Sequence, residues 1–216
     1  MKFAAVRYCV LPLCLSAALF AAVLCLAAES DFLERGVALY NDEQYEQARA
    51  MWEEGEQAGD LDCAVALGTY IYTAGRGAPQ SDQKAFAQYM KAARQHHAEG
   101  MSIVGSCYLY GAGVAKDKAK GVEWLTKAAD AGFMTASAEL GDLYADGDIV
   151  KKDAKLAAKW HLQAAEAGHP QSQLYMGKAY MTGNGVSRDS SAAKEWLQKA
   201  QAGGEDSAKE LLQTFE

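Results

Sequence analysis

The sequence predicts an all-α protein, an α/α solenoid of stacked helix hairpins, on three observations. Gly68, Gly105, Gly141 and Gly177 stand 37, 36 and 36 residues apart. Trp124, Trp160 and Trp196 keep a spacing of 36. No stretch shows the pattern of a strand. A fixed period of this length marks an array in which each small unit buries its apolar face against its neighbours. Such arrays are commonly interaction surfaces, which turns the functional expectation from catalysis toward binding.

Residues 1–28 stand apart from the array. Lys2 and Arg7 precede an uncharged apolar run from Val10 to Ala28, which reads as a secretory signal peptide cut after Ala27 or Ala28. An uncleaved anchor is the rival reading, because about 19 apolar residues can span a bilayer. Leu24 before Cys25 speaks against a lipoprotein. The expected location is therefore periplasmic or secreted. Beyond Ala28, 19 basic side chains face 28 acidic ones, so the mature chain is near −9. Such a surface repels nucleic acid and anionic lipid.

Residues 29–60 form a first, shorter unit in which Gly36, Ala48, Trp52, Gly55 and Gly59 follow one another in the order of the later copies. Four copies come next, at 61–97, 98–133, 134–169 and 170–204. Each has a Gly-bearing first helix, a loop, and a second helix. Gly105 to Tyr108, Gly141 to Tyr144 and Gly177 to Tyr180 end the first helices. Gly111-Ala112-Gly113-Val114 and Gly183-Asn184-Gly185-Val186 follow as loops, with Gly147-Asp148-Ile149-Val150 as a degenerate form. Asp117, Asp153 and Asp189 suit N-caps of the second helices. The repeated glycine costs roughly 1 kcal/mol against alanine inside a helix. Its recurrence in register therefore predicts a tight hairpin contact, with Trp124 and Tyr108 filling the space around it. The closing Gly132, Gly168 and Gly203-Gly204 suit left-handed ends, and His96 takes that place in copy one. Residues 205–216 restart the pattern as a capping helix from about Asp206.

These phrases resemble the Sel-one-like repeat, a relative of the tetratricopeptide repeat. Copy four carries them as Met176-Gly177-Lys178-Ala179-Tyr180, Gly183-Asn184-Gly185-Val186, Asp189 and Trp196-Leu197-Gln198-Lys199-Ala200. Gly36, Leu39-Tyr40, Tyr45, Ala48 and Trp52 are more similar to a tetratricopeptide repeat proper. The resemblance implies a right-handed superhelix whose first helices line the concave side. It also implies an adaptor, a function the fold alone does not narrow.

Cys63 and Cys107 remain after the leader. They sit about seven helical residues apart in register on neighbouring first helices, near 10 Å at ~1.5 Å per residue. That exceeds the reach of a disulfide, so two buried thiols are expected. Ser81-Asp82-Gln83-Lys84 matches the S-x-x-K phrase of penicillin-recognising enzymes, but the companion phrases are missing and Ser81 or Asp82 suits an N-cap. His96-His97 with Glu99 does not complete a metal ligand set, and His161 and His169 repeat no useful spacing. Neither a catalytic residue, a metal nor a cofactor is expected.

The expected working surface is a groove along the first helices. One position after each glycine it presents Val37, Thr69, Ser106, Asp142 and Lys178. Four or five positions after, it presents Tyr40, Tyr72 with Thr73, Leu109 with Tyr110, Asp146 and Met181. Read this way, the row is aromatic and aliphatic with few charges, which suits a peptide or protein segment. Tyr40, Tyr72 and Tyr110 also suit packing between copies, and both roles stay open. The function expected is an exported, monomeric, non-enzymatic scaffold without nucleic-acid binding or membrane insertion. The alternatives are a regulator of cell-wall enzymes, a host-interaction factor, or a hydrolase of β-lactams or peptidoglycan.

Overall fold

The computed structural model describes residues 31–215, so the leader and its cleavage site lie outside the described residues. Five antiparallel helix pairs follow one another along the chain. They are α1 (Phe32–Asn41) with α2 (Tyr45–Ala58), α3 (Leu61–Ala66) with α4 (Asp82–Arg94), α5 (Ala98–Tyr110) with α6 (Lys118–Asp130), α7 (Met134–Asp146) with α8 (Ala154–Glu166), and α9 (Pro170–Thr182) with α10 (Ser190–Ala202). A short α11 (Asp206–Leu212) and one 3-10 turn (Gln213–Phe215) close the array. Helices pack on their neighbours in sequence, as a solenoid requires. No strand occurs among the described residues, and none of their helices is long and apolar enough to cross a membrane.

The capping expectations hold. Asp153 accepts from the amides of Lys155 at 2.9 Å and Leu156 at 3.0 Å, and Asp189 does the same for Ser191 and Ala192. Asp117 accepts from Lys120 N–H, which holds its carboxyl below the usual range. The closing position is left-handed throughout: φ is 87° at Gly132, 98° at Gly168 and 95° at Gly204. His96 adopts φ 62° in the same place, a conformation most L-residues avoid.

The repeated glycine meets a residue other than the one expected. A Cβ on Gly105, Gly141 or Gly177 would lie 2.7 Å from Leu125, His161 or Leu197 respectively. Each of these stands one position after the recurrent tryptophan. A Cβ on Gly36 would overlap Trp52, and one on Gly68 would overlap Tyr89. The residues that seal the five hairpins are therefore Trp52, Tyr89, Leu125, His161 and Leu197. Trp124 and Trp196 are only half-buried and, like the buried Trp160, lie under lysines: Lys127 at 4.5 Å, Lys159 at 4.6 Å and Lys199 at 4.0 Å from the ring centroids. The reason is helical phase. The knob side of the second helix faces the glycine, and the tryptophan, one residue back, is turned by about 100° toward the edge of the pair.

Copy one departs from its neighbours at the end of its first helix. Leu67–Thr73 is a π-helical segment continuing α3. It absorbs the extra residue that makes the first spacing 37 rather than 36. Tyr72 O accepts from Ser81 N–H as Tyr108 O accepts from Asp117 N–H. Tyr72 thus matches Tyr108, and a lysine lies over each ring: Lys84 at 5.7 Å and Lys120 at 5.6 Å. Cys63 and Cys107 are buried and unbridged, and burial pushes the Cys107 thiol up to about 11.

Candidate functional site

At about 100° per residue, the positions two before, one after and five after each glycine point within about 60° of one another. Together they make one face along α1, α3, α5, α7 and α9. The structure leaves Val37, Thr69, Thr73, Tyr110, Asp142, Asp146 and Lys178 exposed and Tyr40, Ser106 and Met181 half-buried. Leu109 is the exception, with 0% exposure. Four positions after the glycine is only about 40° from it, so Leu109 turns inward against Gly121, whose Cβ would lie 2.6 Å from Leu109 Cγ. Tyr72 packs between copies against two core clusters, because the π turn shifts it into the Tyr108 register. Tyr40 packs edge-on against Tyr45 at 5.1 Å and beside Trp52 at 6.0 Å.

The residues that the reading of the sequence missed are Tyr70 and those two positions before the glycine, Ile103, Glu139 and Tyr175. Helical phase alone would have found the last three. Tyr70 is 42% exposed and stacks on Trp52 at 5.6 Å. With Val37, Thr69 and Glu99 it lines a hollow of about 200 Å³ across α1, α3 and α5. Glu139 accepts from the Ser106 hydroxyl at 3.0 and 3.1 Å, and burial raises its carboxyl. Partial desolvation on its inner side, then neighbouring Asp146, raises Asp142, although the side chain stays 70% exposed. Burial, with Glu139 and Asp142 nearby, raises the Tyr110 phenol. The face is therefore more acidic than the expected row of few charges.

His161 lies behind this face. Its side chain is 3% exposed and its ring stacks on Tyr175 with centroids 3.8 Å apart. Nδ1 is 3.2 Å from Ser172 Oγ, and Oγ is 3.0 Å from His169 Nδ1. Burial, then the neighbouring His169, lowers the His161 pKa to about 4, so the ring is neutral at pH 7. Asp142 Oδ1 is 3.5 Å from Nε2. Its carboxylate, 70% exposed, is too solvated to keep a proton on the ring.

The other motifs fold into structural roles. Ser81 Oγ accepts from Lys84 N–H at 3.3 Å, so the serine of the S-x-x-K phrase is an N-cap. His97 Nδ1 accepts from Gly100 N–H and its Nε2 lies 2.9 Å from Asp62, an N-cap tied to the preceding first helix. His169 caps α9 in the same way.

A Sel1 repeat protein from Oxalobacter formigenes is similar in structure, with a TM-score of 0.74 and 31% identity over 80% of this chain and 49% of its own. A protective antigen present in uropathogenic Escherichia coli strains, which displays an SLR fold, matches with a TM-score of 0.74 and 29% identity over 85% of this chain and 40% of its own. The chain thus spans about half the length of these solved relatives or less. No curated protein matches it. The model of the Sel1 repeat matches residues 61–97, 98–133, 135–169 and 170–204. By that match the chain belongs to the Sel1 repeat family, whose repeats generally mediate protein interactions.

Proposed function

We propose that the chain is an exported scaffold that holds a protein or peptide segment along its first-helix face and catalyses no reaction. One observation carries the reading. The large apolar side chains left exposed among the described residues are Val37, Tyr70 and Tyr110, and each belongs to a first helix. Tyrosines on an exposed helical face are common anchors at protein interfaces. The second helices instead present lysines and glutamates over their tryptophans, a solvated surface. Export rests on the 1–28 leader.

A pull-down from periplasmic extract tests the face. Tyr70→Ala with Tyr110→Ala should lose the captured partner, because buried tyrosine anchors commonly carry ~2 kcal/mol or more each. Lys116→Ala with Arg188→Ala on the loop edge should keep it. A folded tyrosine double variant that still captures the partner moves the site off this face. The N-terminus of protein recovered from the periplasm tests export: it should begin at Ala28 or Glu29, and an intact Met1 in the membrane fraction would refute cleavage.

A further inference from the structure

Across the first-helix face of the described residues, Glu34, Asp62, Glu99, Glu139, Asp142 and Asp146 outnumber two cations, Lys178 and Arg76, the latter 5.6 Å from the Tyr40 ring, and Asp62 is held by His97. Three of the carboxylates belong to α7: Asp142 and Asp146 lie beside the His161–Tyr175 stack, and Glu139 turns toward Ser106 of the preceding copy. An acidic stripe alone names no ligand, but the buried imidazole does.

The hydrogen-bond network fixes its tautomer. His169 Nδ1 accepts from Ser172 N–H at 3.2 Å, so it carries no proton. Ser172 Oγ, 3.0 Å from the same nitrogen, therefore donates to it. The opposite orientation would set two lone pairs against each other. His161 Nδ1–H then donates to Ser172 Oγ. This leaves His161 Nε2 a bare acceptor, buried and without a partner, 3.5 Å from Asp142 Oδ1. The hydroxyl of Tyr175 is likewise buried and unpartnered. Two acceptors face each other with no donor between them, at the rim of an acidic face. A buried acceptor without a donor is costly, and an N–H cation satisfies both oxygen and nitrogen.

We propose that this corner of copy three receives a lysine or arginine side chain of a cationic partner segment. Its N–H groups bridge His161 Nε2 and Asp142 Oδ1, and Asp146 and Glu139 balance its charge. Asp142 is open to solvent, so the cation enters along the face. The proposal rests on the first-helix face being the binding face, and names the chemistry of what binds there.

The test uses short labelled peptides of alternating leucine and arginine, leucine and glutamine, and leucine and glutamate, with the mature protein. The arginine peptide should bind, and Asp142→Asn with Asp146→Asn should weaken it by about tenfold or more, the loss of one charge-assisted hydrogen bond. Glu195→Gln with Glu210→Gln, which removes the same charge off this face, should leave binding unchanged. The arginine peptide should also shift the His161 ring nitrogen signals and leave those of exposed His96 in place. Equal weakening by both double variants, or an unmoved His161, overturns the proposal and indicates diffuse charge attraction. If the glutamine peptide binds as well as the arginine peptide and Tyr110→Ala weakens both, the face binds without a cation seat: the proposal fails and the scaffold reading stands. If no peptide binds at any concentration reached, both fail.

Discussion

Copies three and four share helix lengths, cap and closing turn, yet their hairpins are sealed by different chemistry. Gly177 closes on Leu197, and Gly141 closes on His161. Copy three departs at its loop as well. Gly185 of copy four lies so close to Ala154 O of copy three that a Cβ would overlap it. Copy three has Ile149 at that place, and there Lys118 Nζ reaches across to Asp148 O at 3.1 Å. The repeat frame is thus set by glycine, cap and closing turn, while the knob beneath the glycine is open to exchange. Where the knob is polar, a hydrogen-bonded network replaces dry packing. Copy one repeats the lesson with Tyr89, whose hydroxyl sits 3.2 Å from both Thr69 and Thr73.

The largest expected effect tests the shared part of the frame. Gly141→Leu and Gly177→Leu should each cost about 3 kcal/mol or more, because the added side chain enters space held by His161 or Leu197. Thermal melting of both variants checks it. A loss at Gly177 with none at Gly141 would show that the imidazole yields where leucine cannot.

Next comes pH. The His161 pKa falls from 6.5 to about 4 on folding. The unfolded chain therefore binds the proton first, and stability drops as pH falls from 6.5 toward 4, by about 3 kcal/mol for a shift of this size. Below 4 this loss is complete. Glu139 and Asp142, whose folded values are raised, act in the opposite sense at lower pH. Denaturant titrations at pH 7 and pH 5 should show that His161→Leu, which copies the dry knob of copy four, removes the histidine slope. An unchanged slope would break the comparison.

The smallest effect belongs to copy one. Tyr89→Phe keeps the packing against Gly68 and removes two hydroxyl contacts, for a loss of about 1 kcal/mol. A loss as large as that of the glycine variants would mean that the hydroxyl, not the ring, seals the hairpin.

The period, the capping aspartates and the closing turns were legible in the sequence because each is a local requirement of backbone geometry. Even His96 could be placed in the closing turn, since register alone fixes it there. The knob was not legible, because tryptophan recurs conspicuously one position before it and only helical phase tells the two apart. Tyr72 departs from the expected groove because one extra residue lies inside the π segment Leu67–Thr73 rather than in the loop. Counting from the glycine without turning the helix puts Leu109 outward, and it passes over Glu139 and Tyr175 for the same reason. Nothing in spacing marks His161 as buried; its ordinary leucine neighbours Leu125 and Leu197, in register, are the only signal.

The most direct test of the account is a proton NMR titration of the His161 ring. Its signals should stay flat from pH 8 down to 5 and move only near 4, as for a buried, neutral imidazole held by Ser172. A midpoint near 6.5, the value of a solvated histidine, would contradict it, and with it the polar seal that sets copy three apart.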